Sequence, residues 1–243
     1  MSRPFTFQVV EASGSTRRLD LDVSRVYNLG FTIRDAQKMQ AHLEEVYKHG
    51  LSELKIERPP IIFPISAWAT ITDDEAPVQY GRTSGEVEIA TIDDGDGELY
   101  VTVASDITDR QLEVSNLEGA RNIRWSKQVA PNVVAPTVWR WQDVEAHWDE
   151  VTIHSTIIDG DRTVEYQRAG VSEFWTPAEM RASIDGRVVP VPGAKILLSG
   201  TVVSLDEELN FGRTFIMSLR DPVLGRTIEH TYRTVVLSEE VSD

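Results

Sequence analysis

The sequence predicts an α+β fold, built as one β-rich domain. Three observations carry that prediction. Short β-branched and aromatic runs outnumber helical patterns, most runs come in pairs around a turn, and nothing longer than a short connection separates them. The chain has 243 residues, 41% of them hydrophobic, so it can bury a substantial core. The expected layout is a single unit over 1–243. An N-terminal hairpin and a helix occupy 1–70, and the main β unit occupies 71–243.

Residues 5–23 read as a hairpin. Phe5, Phe7 and Val9 alternate, Ser13-Gly14-Ser15 turns, and Leu19, Leu21 and Val23 alternate again. Residues 33–49 read as a helix with Thr32 as its cap and Asp35 three residues on. Its apolar stripe is Ala36, Met39, Leu43, Val46 and Tyr47. The segment 58–72, broken by Pro59, Pro60 and Pro64, reads as extended or edge chain.

Two strands follow, separated by Asp93-Asp94-Gly95-Asp96-Gly97, a strong turn signal. Thr108 with Gln111 has capping-box spacing and predicts a helix start. Residues 125–139 read as a Pro-punctuated connection and 141–150 as a short helix. A hairpin turns at Asp159-Gly160-Asp161, and Thr176-Pro177-Ala178-Glu179 opens another helix. Three strands close the chain, in KILLSGTVVSL, RTFIMSLRD and RTIEHTYRTVVLS.

Charge and composition narrow the chemistry. A net charge of −15 repels phosphate backbones and anionic bilayers, so neither nucleic acid nor membrane is an expected partner. The absence of cysteine excludes disulfides, zinc–thiolate centres and a cysteine nucleophile. No run approaches the roughly 18 apolar residues of a membrane span. A soluble, cytoplasmic protein is expected.

The feature that asks for an explanation is GEVEIATIDDGDGELYVTVASDITDR, residues 85–110. Glu86 and Glu88 are two apart in a strand and share a face. Pairing the hairpin about Gly95 sets Glu86 opposite Ala104 and Glu88 opposite Thr102, with Asp106 one step past the pair at a strand-to-helix junction. Carboxylates clustered in this way repel and are costly to desolvate, and a divalent cation removes that cost. Spacing alone favours the plainer reading, solvated charges on an exposed strand face.

The residues of this stretch resemble the fumarylacetoacetate hydrolase superfamily. Gly85-Glu86-Val87-Glu88-Ile89 matches its Glu-x-Glu strand, and Ala104-Ser105-Asp106-Ile107-Thr108-Asp109-Arg110 matches its Asn-Asp-Val-Thr-Ala-Arg-Asp segment. The whole chain is more similar still to a divergent, uncharacterised prokaryotic branch of that superfamily. The segments Asp143–Trp148 and Arg220-Asp221-Pro222-Val223-Leu224-Gly225-Arg226-Thr227-Ile228 add to the likeness.

The resemblance implies a mixed β-sheet roll with a few short helices, a homodimer, and Mg²⁺ or Mn²⁺ held by Glu86, Glu88 and Asp106. It also implies roles outside that stretch. Lys127 matches the superfamily's active-site lysine, and Thr201, in Leu198-Ser199-Gly200-Thr201, matches a substrate-binding threonine. His42 and Glu45 match a lid-helix dyad that activates water. Arg110, at the end of the stretch itself, is a second candidate for binding substrate and equally a partner for Asp109 or Glu113. Three positions depart from the superfamily pattern: Glu113 stands for Gln, Ile65 for Lys, and Val202 for Pro.

The implied activity is metal-dependent hydrolysis of a C–C bond in a small 2-oxo or 1,3-dicarbonyl acid, through an enolate. Decarboxylation or tautomerisation is the alternative on the same residues, and a non-catalytic ligand-binding protein is the alternative on the same scaffold. His147 and His154 are expected to be structural. Trp139, Trp141 and Trp148 are expected in the core or at a dimer contact.

Overall fold

The structure is a computed structural model that describes residues 2–46, 58–115, 120–205 and 209–241; within two of its helices, the side chains of residues 42, 45, 46 and 120–122 lie outside the description. Fourteen strands are described: β1 Arg3–Val10, β2 Thr16–Gly30, β3 Ile61–Ile65, β4 Thr70–Ile71, β5 Glu75–Val78, β6 Thr83–Asp93, β7 Leu99–Asp109, β8 Asn132–Val134, β9 Thr137–Arg140, β10 Thr152–Asp159, β11 Arg162–Gly170, β12 Ala194–Leu198, β13 Thr214–Asp221 and β14 Arg226–Val236. Four α-helices accompany them: α1 Ala36–Val46, α2 Arg110–Glu113, α3 Ala120–Ser126 and α4 Pro177–Ile184. The β-rich α+β expectation agrees with this content.

The strands form two mixed sheets. The larger has nine strands in the order β4-β8-β7-β6-β12-β2-β1-β9, with β3 on β2. It closes on itself, because β9 pairs in parallel with β1 and antiparallel with β7. The smaller sheet runs β11-β10-β13-β14-β5.

Alternation along β6 and β7 sets the two cores. Ala90, Ile92, Tyr100 and Ala104 face inward with Phe5, Phe7, Val26 and Ile196, filling the closed sheet. Val87, Ile89, Val101 and Val103 face outward and pack on Ile153, Met217 and Leu219 of the smaller sheet, with Trp139, Trp141 and Trp148 in the same cluster. All eleven residues of β7 are buried, which is what a strand covered on both faces requires. Glu86, Glu88 and Asp106 share the parity of the inward set, so the carboxylates sit at one end of the closed sheet's interior.

Several local expectations need correction. Asp35 caps α1, accepting the N–H groups of Gln37 and Lys38, whereas Thr32 is drawn away to the Ser199 carbonyl. Asp109, not Thr108, caps α2; Thr108 lies inside β7. Residues 141–150 form two 3₁₀ segments rather than one helix, broken at Val144 and again at His147. The strand expected through Thr201 stops at Leu198, because Gly200 adopts a positive φ of 77°. The capping box at Thr176 and Glu179 forms as expected.

Candidate metal and substrate site

The β6–β7 hairpin positions the carboxylates, and its turn decides how. Asp94 Oδ1 accepts the backbone N–H groups of Asp96, Gly97 and Glu98, and Gly95 and Gly97 supply positive φ. The resulting loop is centred on Asp96, one residue later than Gly95. The register therefore moves by two relative to the sequence expectation. Glu86 lies opposite Asp106, and Glu88 lies opposite Ala104. Asp106 is inside β7, which continues to Asp109, not at its end. Parity survives a shift of two, so all three carboxylates still share a face.

The three residues converge tightly. One carboxylate oxygen from each lies within 4.8 Å of the other two. Asp106 and Glu88 are essentially inaccessible, at 0% and 1% exposure, and Glu86 is partly open. Asn28 on β2 ties the group together. Its Nδ2 donates to both oxygens of Glu88 at 3.1 Å and to Asp106 Oδ2 at 3.0 Å. The Gly200 N–H donates to Glu88 Oε2 at 3.1 Å. Asp106 Oδ2 also pairs with Lys127 Nζ.

Asp106 Oδ1 is different: it is buried and has no hydrogen-bond donor among the described residues. An orphaned anionic oxygen inside a carboxylate triad is costly unless something positive reaches it. An all-oxygen, anionic donor set suits a hard divalent cation such as Mg²⁺ or Mn²⁺. The residues present fit a metal ion.

Electrostatics follow from burial. Desolvation pushes Glu88 well above the ordinary carboxylate range; the Asp106 charge adds to that, and Lys127 opposes it. Desolvation also raises Asp106, against the pull of Lys127. Burial works against charge on Lys127, yet Asp106, Glu86 and Glu88 outweigh it and keep the ammonium charged. Arg110 behaves likewise: burial disfavours its charge, and Glu86 and Glu113 hold it. Arg110 ion-pairs with Glu86 at 2.8 Å and Glu113 at 2.9 Å, and its Nε donates to Ser84 at 2.7 Å.

A cavity of about 200 Å³ opens over this cluster. Glu86, Glu88, Arg110, Lys127 and Thr201 all line it. Thr201 Oγ1 accepts from Gln167 Nε2 at 3.0 Å and bonds the Val202 carbonyl at 3.0 Å. The structure thus gathers six of the eight residues singled out from the sequence, Asp106 lying beneath the cavity wall. The remaining two, His42 and Glu45, are on α1, and their side chains lie outside the described residues.

Sequence reasoning missed Asn28 and Gln167. Gln167 on β11 accepts the Val87 N–H at 2.8 Å while donating to Thr201 and the Val202 carbonyl, so it pins the Gly200 turn to β6. A polar residue inside the apolar run VYNLG was a signal for Asn28, but its partners are 60 and 78 residues away. Glycine spacing was also unread. A Cβ on Gly85 would stand 2.2 Å from the Tyr232 hydroxyl, and one on Gly200 would stand 2.9 Å from the Leu29 carbonyl.

A family model described as "Protein of unknown function (DUF2848)" matches residues 29–232. The chain belongs to that family. No curated protein gives a significant sequence match. Solved structures do match the fold of this DUF2848 member. A 2-keto-3-deoxy-D-arabinonate dehydratase complexed with magnesium and 2,5-dioxopentanoate is similar over 90% of this chain and 77% of its own, with 16% identity and a TM-score of 0.61. A candidate fumarylpyruvate hydrolase from Burkholderia cenocepacia is similar over 97% and 96%, with 15% identity and a TM-score of 0.59. A yeast fumarylacetoacetate hydrolase family protein is similar over 88% and 94%, with 13% identity and a TM-score of 0.53. The DUF2848 member therefore has the fold of the fumarylacetoacetate hydrolase family, as its residues led us to expect.

Proposed function

We propose that this protein is a divalent-metal-dependent enzyme acting on a small 2-oxo or 1,3-dicarbonyl acid, and that it breaks a C–C bond. The observation that carries the reading is the buried Asp106 Oδ1, without a donor among the described residues, within the Glu86–Glu88–Asp106 triad. The magnesium-bound dehydratase of the same fold supports it. Mg²⁺ or Mn²⁺ would be held by those three carboxylates. When bound it would supply Lewis acidity for the substrate's oxo and carboxylate oxygens.

The chain's own residues supply the rest. Asn28 and the Gly200 N–H hold Glu88 in place before any ligand arrives. Gln167 positions the Thr201 hydroxyl at the cavity wall. Lys127, kept charged by its carboxylate neighbours, faces the cavity and stabilises negative charge that develops on the substrate. Hydrolysis needs a base for water, a role assigned to His42 oriented by Glu45. Decarboxylation or tautomerisation is the second reading. Neither reaction needs an attacking water, and Lys127 in the cavity wall, its ammonium held charged beside the carboxylates, suits stabilisation of the enolate that either one forms. The proposal includes a homodimer of single-domain chains, which sedimentation of the purified protein tests.

Calorimetry with Mg²⁺ and Mn²⁺ tests the metal, followed by product analysis after incubation with 2-oxo acids. Binding by the native protein that disappears in the Glu86→Ala, Glu88→Ala double variant is expected. Equal binding by both proteins, or none by the native one, overturns the reading. Loss of turnover in His42→Ala selects hydrolysis; retained turnover with release of carbon dioxide selects decarboxylation.

A further inference from the structure

Arg110 is shared between a member of the triad and a carboxylate outside it. It is the first residue of α2, and its N–H bonds the Arg82 carbonyl at 3.0 Å, which ties the helix start to the chain just before β6. Its guanidinium is buried and uses all three nitrogens. Nε donates to Ser84 Oγ at 2.7 Å, Nη2 ion-pairs with Glu86 Oε1 at 2.8 Å, and Nη1 donates to Glu113 Oε2 at 2.9 Å. Glu113 is three residues on, so it meets Arg110 on one face of α2. Both residues line the cavity over the carboxylate cluster.

Glu86 therefore answers to two cations. A guanidinium keeps its proton throughout the working pH range, so the Arg110 charge stays beside Glu86 when a divalent ion reaches the same carboxylate. Its field also extends to Asp106, a second member of the triad. Like charges repel strongly in a buried setting, and an uncompensated Arg110 would oppose the ion. Ser84 is neutral and leaves that charge in place. Glu113 is different. Its carboxylate, on a side chain only 17% exposed, takes one arm of the guanidinium and offsets the charge. The pair is held within one turn of α2, so it does not depend on which way Glu86 faces.

We propose that Glu113 is a positioning residue for the metal centre: it holds one arm of Arg110, neutralises it, and so leaves Glu86 available to a divalent cation. This rests on the metal-site reading above and adds to it a residue outside the triad. Glu113 acts through Arg110, so its effect on the metal vanishes once Arg110 is uncharged. Glu113 also helps to keep Lys127 charged, and direct action on the site is therefore the alternative to be separated.

The test is a double-mutant cycle read by calorimetry with Mg²⁺ and Mn²⁺, on the native protein, Glu113→Gln, Arg110→Gln and the double variant. Glutamine keeps the shape of glutamate and an acceptor for Nη1, so Glu113→Gln is expected to fold, with an unchanged circular dichroism spectrum. Its metal affinity is expected to fall about tenfold or more. In the Arg110→Gln background the same substitution is expected to change affinity by less than about threefold. Unchanged affinity in Glu113→Gln overturns the proposal. So does an equal loss with and without Arg110, which would mean that Glu113 acts on the ion directly. Failure of either single variant to fold overturns it too, since the pair would then be structural. No metal binding by the native protein overturns the metal-site reading, and this inference with it.

Discussion

Adding Mg²⁺ or Mn²⁺ should raise the melting temperature, and the rise should be larger at pH 8 than at pH 5. The perturbation acts on Glu88 and Asp106, both buried and both raised in pKa chiefly by desolvation. The sign follows from linkage. A carboxyl whose pKa is raised on folding binds more protons in the native than in the unfolded state, so native stability falls as pH rises. The loss starts near the unfolded carboxylate value, roughly pH 4, and continues up through the raised native values. Below that window both states are protonated and nothing is lost. A divalent cation competes with those protons, because only the ionised carboxylates bind it. Metal should therefore restore the stability lost at high pH and contribute little where protons already neutralise the cluster. At a free concentration of 100 times its Kd, a ligand stabilises by about 2.7 kcal/mol. For a chain of 243 residues that corresponds to roughly 5–10 °C in Tm. Differential scanning calorimetry at both pH values, with and without metal, measures it. The reasoning is refuted if the metal-induced shift is as large at pH 5 as at pH 8, or if it survives in a Glu88→Gln, Asp106→Asn variant.

Three further outcomes follow from the packing around the cluster. Gly85→Ala should destabilise the fold by about 2–3 kcal/mol, because its Cβ would meet the Tyr232 hydroxyl at 2.2 Å and Ser105 Oγ at 2.6 Å; denaturant unfolding should show partial rescue by Tyr232→Phe, and no rescue would contradict the clash. Asn28→Ala removes the donors shared by Glu88 and Asp106, so metal affinity by calorimetry should drop about 10–100-fold, with an unchanged affinity counting against a positioning role. Gln167→Leu leaves the Val87 N–H without its partner and frees Thr201 and the Val202 carbonyl; a loss of about 1–3 kcal/mol is expected in urea unfolding, and a neutral variant would show that this latch is dispensable.

Much of the architecture is legible in the local sequence because its causes are local. Alternation marks β6 and β7, the Asp93–Gly97 cluster marks their turn, and Thr176 with Glu179 marks α4. Where two local signals competed, the tertiary setting chose. Thr32 has the chemistry of a helix cap, but Ser199 claims its hydroxyl, and Asp35 takes over the capping. The polar run at 93–97 announces a turn, but only the three N–H bonds to Asp94 settle its centre, and a one-residue difference there slides Asp106 into line with Glu86.

The site divides in the same way. Glu86 and Glu88 share a strand face whatever surrounds them, since side chains alternate with a period of two. That much the sequence by itself determined, together with the cysteine-free, oxygen-only choice of ligands. Whether the face meets water or protein is decided by closure of the nine-stranded sheet, which needs β9 to reach both β1 and β7. Closure turns the face inward, strips water from Glu88 and Asp106, and brings Asn28, Gly200 and Lys127 against them from distant segments. Side-chain periodicity belongs to one strand, whereas desolvation and partner choice belong to the whole enclosed volume, so only the tertiary structure could turn a pair of like charges into a candidate metal centre.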